Sequence, residues 1–162
     1  MEKLALFFQK QGIKPVVIYA SPLKRTIQSV EEILKIFPNM PVICETDLQE
    51  VDCGKFTGRK LSWVHSLDSF YALPTMESPE KIGHRMLTVM KKILKNYCGK
   101  TVFVVSHGDP IIFLLWLLTH PNSAINPVSL IKKNFLIQKG QAWKVVLNEK
   151  MKVIDLQHPM AP

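Results

Sequence analysis

Two segments of this chain share one design, in which a short apolar strand runs directly into the start of a helix. In the first, residues 16–20 (VVIYA) are followed by Ser21-Pro22 and then by Arg25. In the second, residues 102–105 (VFVV) are followed closely by His107-Gly108. Continuous apolar runs that lead into helices are typical of buried parallel strands. The design therefore predicts an α/β fold in which both strand ends lie at one edge of a sheet.

Glycine, proline and hydrophobic periodicity divide the rest of the chain into further elements. Ser21 and Pro22 predict a helix start, with a capping hydroxyl followed by proline at the first helical position. Residues 130–138 and 143–147 flank a turn and predict an antiparallel hairpin. Further helices are predicted over residues 3–11, 61–71 and 78–97 and from Asp109 onward, and a short strand over residues 41–44.

The whole pattern predicts one domain over residues 1–162. We expect a three-layer α/β fold, in which a mostly parallel sheet is flanked by helices and followed by an antiparallel C-terminal hairpin. The helix that begins at Asp109 is apolar on nearly every side, so we expect it to be buried.

The charge balance favours an anionic partner. The 21 Lys and Arg residues exceed the 13 Asp and Glu residues and give a net charge of +8, which attracts phosphorylated molecules or nucleic acids. The lysines are scattered along the chain and are not interleaved with aromatic residues, so a nucleic-acid surface is not favoured. RNA or DNA binding is still kept as an alternative function, and it predicts a binding affinity that falls steeply with salt.

The cysteines and the hydropathy favour a cytoplasmic protein. Cys44, Cys53 and Cys98 have no C-x-x-C spacing and leave an odd thiol, which fits a reducing compartment better than a disulfide scaffold. Histidines and cysteines do not cluster at ligand spacing, so no metal and no cofactor are predicted. The longest apolar run, residues 111–118, is far shorter than the ~18 residues of a membrane span, and no signal-peptide pattern is present. We therefore expect no membrane association.

The two helix starts are candidates for a single anion pocket. A helix N-terminus exposes unpaired backbone N–H groups and the positive end of its dipole, so it attracts phosphate. If both strand ends lie at one sheet edge, Arg25 and His107 become two walls of that pocket. The guanidinium supplies a planar, bidentate clamp that a lysine cannot supply.

Three segments carry possible chemistry: residues 21–25 (SPLKR), 48–58 (LQEVDCGKFTG) and 104–108 (VVSHG). Their order and spacing resemble the histidine phosphatase superfamily, which includes the phosphoglycerate mutases. The resemblance covers nearly the whole chain. It implies a phosphoglycerate mutase-like fold and a phosphomonoester hydrolase that works through a phosphohistidine. The substrate would be a phosphorylated small molecule or a phosphoprotein, selected by residues 61–80, and a phosphatase is favoured over a mutase.

The resemblance also implies roles for individual residues. Arg25 matches the arginine that clamps the transferred phosphoryl group, and His107 matches the second histidine, which stabilises the transition state. The backbone amide of Gly108 would add a donor to the phosphate. Glu50 matches the acid that protonates the leaving oxygen, although Asp52 lies nearby and either carboxyl could be that acid.

The nucleophile motif of the family is absent from these residues. No Arg-His-Gly triplet occurs in the 162 residues, and in the family this motif ends a strand that lies beside the one carrying the second histidine. We therefore expect the chain to start within what resembles the family's first helix, and to be impaired or inactive. The alternative is a non-catalytic domain that binds a phosphorylated ligand or a protein. An in-frame Arg-His-Gly upstream would favour the enzyme.

The charge of His107 should depend on whether the pocket is filled. The helix dipole disfavours the imidazolium by ~0.3–1 kcal/mol, whereas a phosphate ~4 Å away favours it by ~4 kcal/mol per unit charge at an effective dielectric of about 20. We predict a neutral His107 in the empty site and a protonated one beside phosphate. Asp109 is expected to turn away and cap the helix. The side chains interpreted as structural or solvent-facing are Arg59, His65, His84 and Arg85.

Overall fold

A computed structural model describes residues 1–60, 67–125, 137–138 and 140–160. Two short 3-10 turns lie at Thr46–Leu48 and Gly54–Phe56. The helices and strands follow in the order α1 (Glu2–Lys10), β1 (Pro15–Ala20), α2 (Lys24–Leu34), β2 (Val42–Cys44), α3 (Leu67–Tyr71), α4 (Pro79–Tyr97), β3 (Thr101–Val105), α5 (Gly108–Thr119), β4 (Ala142–Leu147) and β5 (Val153–Met160).

Strand β1 lies at the centre of a three-stranded parallel sheet with the order β2-β1-β3. Ile18 of β1 is in register with Val42 of β2 on one side and with Phe103 of β3 on the other. Strands β4 and β5 form a separate antiparallel pair. Among the described strands, β3 is paired only on its β1 side. The predicted α/β fold, with parallel strands and an antiparallel hairpin, is confirmed.

Alternate side chains of β1 pack on opposite faces of the sheet. Val17 and Tyr19 join an apolar cluster with residues of α4 and α5, whereas Ile18 and Ala20 join a cluster with residues of α1 and α2. All four side chains are buried. Because successive side chains of a strand face opposite sides, helices on both faces explain this continuous apolar run. The three-layer arrangement is therefore confirmed.

Helix α5 is buried, as its sequence predicts, and packs against α4. The two helices approach closely at Gly83, where an added Cβ would lie 2.6 Å from Leu117 Cδ1 and 2.9 Å from Ile125 Cδ1. Trp143, Val145 and Leu156 of the β4–β5 hairpin pack against the apolar cluster that α4 and α5 form here. Within the described ranges, no helix combines the length and the apolar character that crossing a membrane requires.

The predicted start of the second helix is wrong, whereas that of the fourth is confirmed. Helix α2 begins at Lys24 with Leu23 as its N-cap residue, because Ser21 is still joined to the sheet through a 2.9 Å hydrogen bond from its N–H to Val105 O. Helix α4 begins as predicted, with proline in its first turn, and the Ser78 hydroxyl accepts from the amide of Lys81 at 3.2 Å.

The described hairpin lies further along the chain than the predicted one. It joins β4 to β5, and the side-chain oxygen of Asn148 accepts from the amides of Lys150 and Lys152 in the turn. Strand β5 is not predicted from the sequence. Most of the strand predicted over residues 130–138 lies outside the described residues, as do residues 61–66 of the predicted helix over 61–71.

Candidate active site

The carboxyl ends of β1 and β3 carry the two basic residues that the sequence predicts to converge. Arg25 lies in the first turn of α2, and His107 is the N-cap residue of α5. Arg25 Nε donates a hydrogen bond to His107 Nδ1 over 3.1 Å, although the two residues are 82 positions apart in sequence. The structure therefore brings the guanidinium and the imidazole together at one edge of the sheet.

Glu50 joins this pair from the loop that follows β2. Its Oε2 lies 3.1 Å from Nη2 of Arg25 and 3.6 Å from Nδ1 of His107. The side chains of Arg25 and Glu50 are 57% and 37% exposed, so solvent and small molecules reach them. A carboxylate oxygen thus lies beside both groups that are expected to hold a phosphate oxygen.

The loop conformation distinguishes Glu50 from Asp52. Asp52 is exposed, and its Oδ1 accepts a 2.8 Å hydrogen bond from the amide of Gly54 within its own turn. Gly54 has a φ of +51° and packs against Thr75 so closely that a Cβ would lie 2.5 Å from the Thr75 carbonyl oxygen. Of the two candidate acids, the structure places Glu50 beside Arg25 and His107.

Ser21 fixes the orientation of the His107 ring. The Ser21 side chain is fully buried, and its Oγ lies 2.9 Å from His107 Nε2. Because Nδ1 accepts from the always protonated guanidinium of Arg25, the proton of the neutral ring must be on Nε2, which donates to Ser21. The sequence predicts Ser21 only as a helix cap; its place directly after a buried strand is the signal that points to a role at the site.

The environment of His107 holds its imidazole neutral. His107 is only 6% exposed, and this burial, followed by the charges of Arg25 and Arg85, lowers the pKa of His107 to about 4. The predicted neutral ring in the empty site agrees with this shift. The lowered pKa of His107 is caused mainly by burial and by the neighbouring cations, whereas the sequence argument named the helix dipole.

Gly108 opens α5 and faces open space. It is exposed, and a Cβ added to it would have no heavy atom within 4 Å. A helix N-terminus with such space in front of it can receive an anion. The role of the Gly108 amide as a phosphate donor stays a prediction.

Asp109 does not cap the helix as predicted, and Tyr71 holds its carboxylate instead. Helix α5 has no side-chain cap at its N-terminus, and Asp109 Oδ2 accepts from the hydroxyl of Tyr71 at 2.5 Å. Burial raises the pKa of Asp109, and burial followed by the hydrogen bond to Asp109 raises the pKa of Tyr71. This contact joins α3 to the start of α5. The sequence analysis missed Tyr71, whose partner lies 38 positions away.

The sequence predicts that Arg85 is structural or solvent-facing, and the structure shows the structural alternative. Its guanidinium donates to the carbonyl oxygens of Asp47, Gln49 and Glu50 at 2.6, 2.8 and 3.2 Å. It also forms an ion pair with Glu77 at 2.9 Å. The available signal was its helical position, three residues after buried Ile82, which places it beside the apolar stripe.

The described residues offer no metal site. Within the part of the chain that the structure describes, no group of three or more His, Cys, Asp or Glu residues could hold a metal ion.

Cys53 has the features of a protonated thiol. Burial, and then the carboxylates of Glu50, Asp52 and Asp109, raise the pKa of Cys53. A thiol with a raised pKa is a poor nucleophile.

Comparison with known proteins identifies a family and a fold. A family model for the histidine phosphatase superfamily (branch 1) matches residues 1–135. The uncharacterised phosphatase PhoE of Bacillus subtilis is 32% identical over 101 residues, which are 61% of this chain and 51% of that protein. Phosphoserine phosphatase 1 of Hydrogenobacter thermophilus is 31% identical over 106 residues, or 59% of this chain and 50% of that protein. The chain spans about half the length of the curated relatives it matches.

Solved structures match the fold at lower identity. The mycobacterial glucosyl-3-phosphoglycerate phosphatase Rv2419c, in its complex with inorganic phosphate, has a TM-score of 0.76 at 14% identity, covering 99% of this chain and 83% of that one. A phosphoglycerate mutase from Bacillus anthracis has a TM-score of 0.60 at 22% identity, covering 77% and 68%. At these identities the likeness shows a shared fold.

Proposed function

Because this chain belongs to the histidine phosphatase superfamily, we propose that the protein hydrolyses phosphomonoesters through a phosphohistidine. In this proposal Arg25 and His107 hold the phosphoryl oxygens, and the amide of Gly108 adds a backbone donor. Glu50 protonates the departing alkoxide and then activates water for hydrolysis. The reaction needs no cofactor or metal in this scheme.

The single observation that carries the proposal is the hydrogen bond between Arg25 Nε and His107 Nδ1. It joins residues from two different strand–helix junctions at the carboxyl edge of a parallel sheet, where α/β proteins bind their ligands. Glu50, the third residue that the family resemblance singles out, lies against the same two groups. Three residues from distant parts of the sequence thus meet at one edge of the sheet.

The phosphate-accepting histidine is the part of the mechanism that these residues do not supply. The sequence has no Arg-His-Gly triplet, and two histidines with described side chains lie elsewhere: His84 is exposed on α4 and His120 stacks on Trp116. We therefore propose that a polypeptide of these 162 residues alone binds phosphate but turns over little.

The substrate is proposed to be a phosphorylated small molecule, with a phosphoprotein as the alternative. Two of the similar proteins are named for phosphoserine and for glucosyl-3-phosphoglycerate, which makes small phosphate esters the first compounds to test. A cytoplasmic location is part of the proposal, and the three free cysteines support it.

The test compares binding with turnover in the same polypeptide. We expect inorganic phosphate to shift the NMR resonances of His107 and Gly108, while hydrolysis of p-nitrophenyl phosphate stays near the buffer background. Arg25→Ala should abolish the shifts, and Lys95→Ala, which removes an exposed basic residue on α4, should preserve them. Substantial hydrolysis that is lost on Arg25→Ala would contradict the proposal of low turnover.

A non-catalytic phosphate-binding or protein-binding domain is the second candidate, favoured by the presence of the anion-holding residues without the nucleophile motif. Expression from the complete coding region separates the two. Turnover that depends on an upstream Arg-His-Gly supports the enzyme. Phosphate binding without turnover by the complete product supports the binding domain.

A further inference from the structure

Arg85 is a partly buried cation whose hydrogen bonds are directed at one loop. Its side chain is 15% exposed and that of its partner Glu77 is 7% exposed. Burying charges is costly, and such a pair is tolerated only when its remaining donors and acceptors are also satisfied. Here the remaining N–H donors of the guanidinium bind backbone carbonyl oxygens of the loop that carries Glu50.

Three backbone carbonyls of that loop converge on the guanidinium. Nη1 donates to Asp47 O and Gln49 O at 2.6 and 2.8 Å, and Nη2 donates to Glu50 O at 3.2 Å. A planar fork with several N–H donors can span three carbonyls at once, whereas a lysine ammonium is a point charge on a flexible stem. The contact therefore depends on the shape of the arginine as well as on its charge.

Glu77 holds the same loop beyond Glu50. Its Oε2 accepts from the amide of Asp52 at 3.2 Å, and its own amide donates to Asp52 O at 2.9 Å. The loop is also fixed ahead of Glu50, because the Ser106 hydroxyl donates to Leu48 O at 2.8 Å. The backbone is thus held on both sides of Glu50, although the Glu50 side chain reaches toward solvent and the site.

We propose that Arg85 is a positioning residue of the phosphate site, which acts by holding the Glu50 loop so that the Glu50 carboxylate lies against Arg25 and His107. The inference rests on the proposed function for its catalytic meaning, but the placement of Glu50 can be measured on its own. If Arg85 is replaced, Glu50 loses its fixed distance to the two groups, and it no longer influences them.

The test is a double-mutant cycle between positions 50 and 85. Sulfate is the probe, because it stays a dianion over the pH range used. In the wild-type chain, Glu50→Gln removes a carboxylate 3.1 Å from Arg25 Nη2, so sulfate should bind about tenfold more tightly. In the Arg85→Lys background, which keeps the charge but not the fork, the same change should alter affinity by less than about twofold.

A second readout needs no anion. The 15N resonance of His107 Nδ1 should move on Glu50→Gln in the wild-type chain, because Oε2 lies 3.6 Å away, and should not move in the Arg85→Lys background. Lys95→Met provides a background control, since it changes an exposed basic residue on the same helix. In that background the Glu50→Gln effects should be unchanged.

The outcomes separate this inference from the proposed function. Equal effects of Glu50→Gln in the wild-type and Arg85→Lys backgrounds would overturn the role of Arg85. Failure of the wild-type chain to bind sulfate would count against the proposed function, while the Nδ1 readout would still decide the role of Arg85. If Arg85→Lys does not fold, Glu77→Gln serves as the background, because it weakens the ion pair but keeps an amide in place, and it should reduce the coupling in part.

Discussion

Arg25 Nε donates its hydrogen bond to His107 Nδ1, so the two groups that face the site also hold each other. The geometry requires an unprotonated Nδ1, because a protonated ring nitrogen cannot accept a hydrogen bond. A bound anion would instead be stabilised by an Nδ1 that donates. Filling the site should therefore exchange the Arg25–His107 hydrogen bond for one from each residue to the anion, with uptake of a proton.

Sulfate binding should become tighter as the pH falls from about 7 to about 5. Burial and the neighbouring guanidinium groups hold the pKa of His107 at about 4, and a neighbouring dianion raises the pKa of an imidazole, so binding takes up a proton. Isothermal titration calorimetry in two buffers of different ionisation enthalpy measures that uptake. His107→Gln should flatten the pH dependence. Binding without proton uptake would contradict this assignment.

The stability of the protein should fall as the pH is lowered from about 6.5 toward about 4. His107 has a pKa of about 4 in the folded chain against an ordinary value of 6.5, so the unfolded chain binds more protons between these values. Stability therefore rises with pH across this window, by about 3 kcal/mol at most. Urea unfolding of the wild type and of His107→Gln measures the difference.

His84→Gln is the matched control for that measurement, because His84 is exposed on α4. It should keep the wild-type pH dependence, whereas His107→Gln should lose most of it. An equal pH dependence in wild type and His107→Gln would show that other groups are responsible.

Replacing Ser21 should lower the free energy of unfolding by more than the loss of an exposed surface hydroxyl does. Ser21→Ala leaves the buried Nε2–H of His107 without its acceptor at 2.9 Å, which costs about 1–3 kcal/mol of unfolding free energy. Ser123→Ala, at an exposed position, should change stability by less than about 0.5 kcal/mol. Chemical denaturation compares the two. A Ser21→Ala protein as stable as the control would show that His107 has no need of this partner.

Tyr71 and Asp109 should be energetically coupled. Tyr71→Phe removes the hydroxyl that donates to Asp109 Oδ2 and leaves a partly buried carboxyl without that donor, at a cost of about 1–3 kcal/mol. In an Asp109→Asn background the same change should cost less, since the uncharged amide needs the donor less. Unfolding free energies of the four proteins measure the coupling, and strictly additive costs would contradict it.

The convergence of Arg25 and His107 could be predicted because it depends on a general property of parallel sheets. Two strands that both lead into helices bring their following residues to the same edge. The continuous apolar runs identified those strands, and the structure confirms them as β1 and β3. The three layers follow from the same runs, since strands that are apolar on both faces require helices on both sides.

The partners of Arg85 and Ser21 and the choice of Glu50 over Asp52 depend on long-range contacts, which no local sequence pattern contains. Arg85 binds carbonyls that lie 35 to 38 positions earlier in the chain, and nothing near Arg85 in the sequence identifies them. Ser21 has the local features of a helix cap, but the approach of His107 gives its hydroxyl another partner. The choice between Glu50 and Asp52 was set by a turn at Gly54 that packs against Thr75.

The central claim is that Arg25, His107 and Gly108 hold one phosphate, and an NMR titration of the 15N-labelled chain with inorganic phosphate tests it most directly. We predict that the ring nitrogens of His107, the Nε of Arg25 and the amide of Gly108 shift together with a single Kd. Arg25→Lys should weaken that Kd by about tenfold or more. Shifts with separate Kd values, or shifts confined to exposed lysines, would contradict the claim.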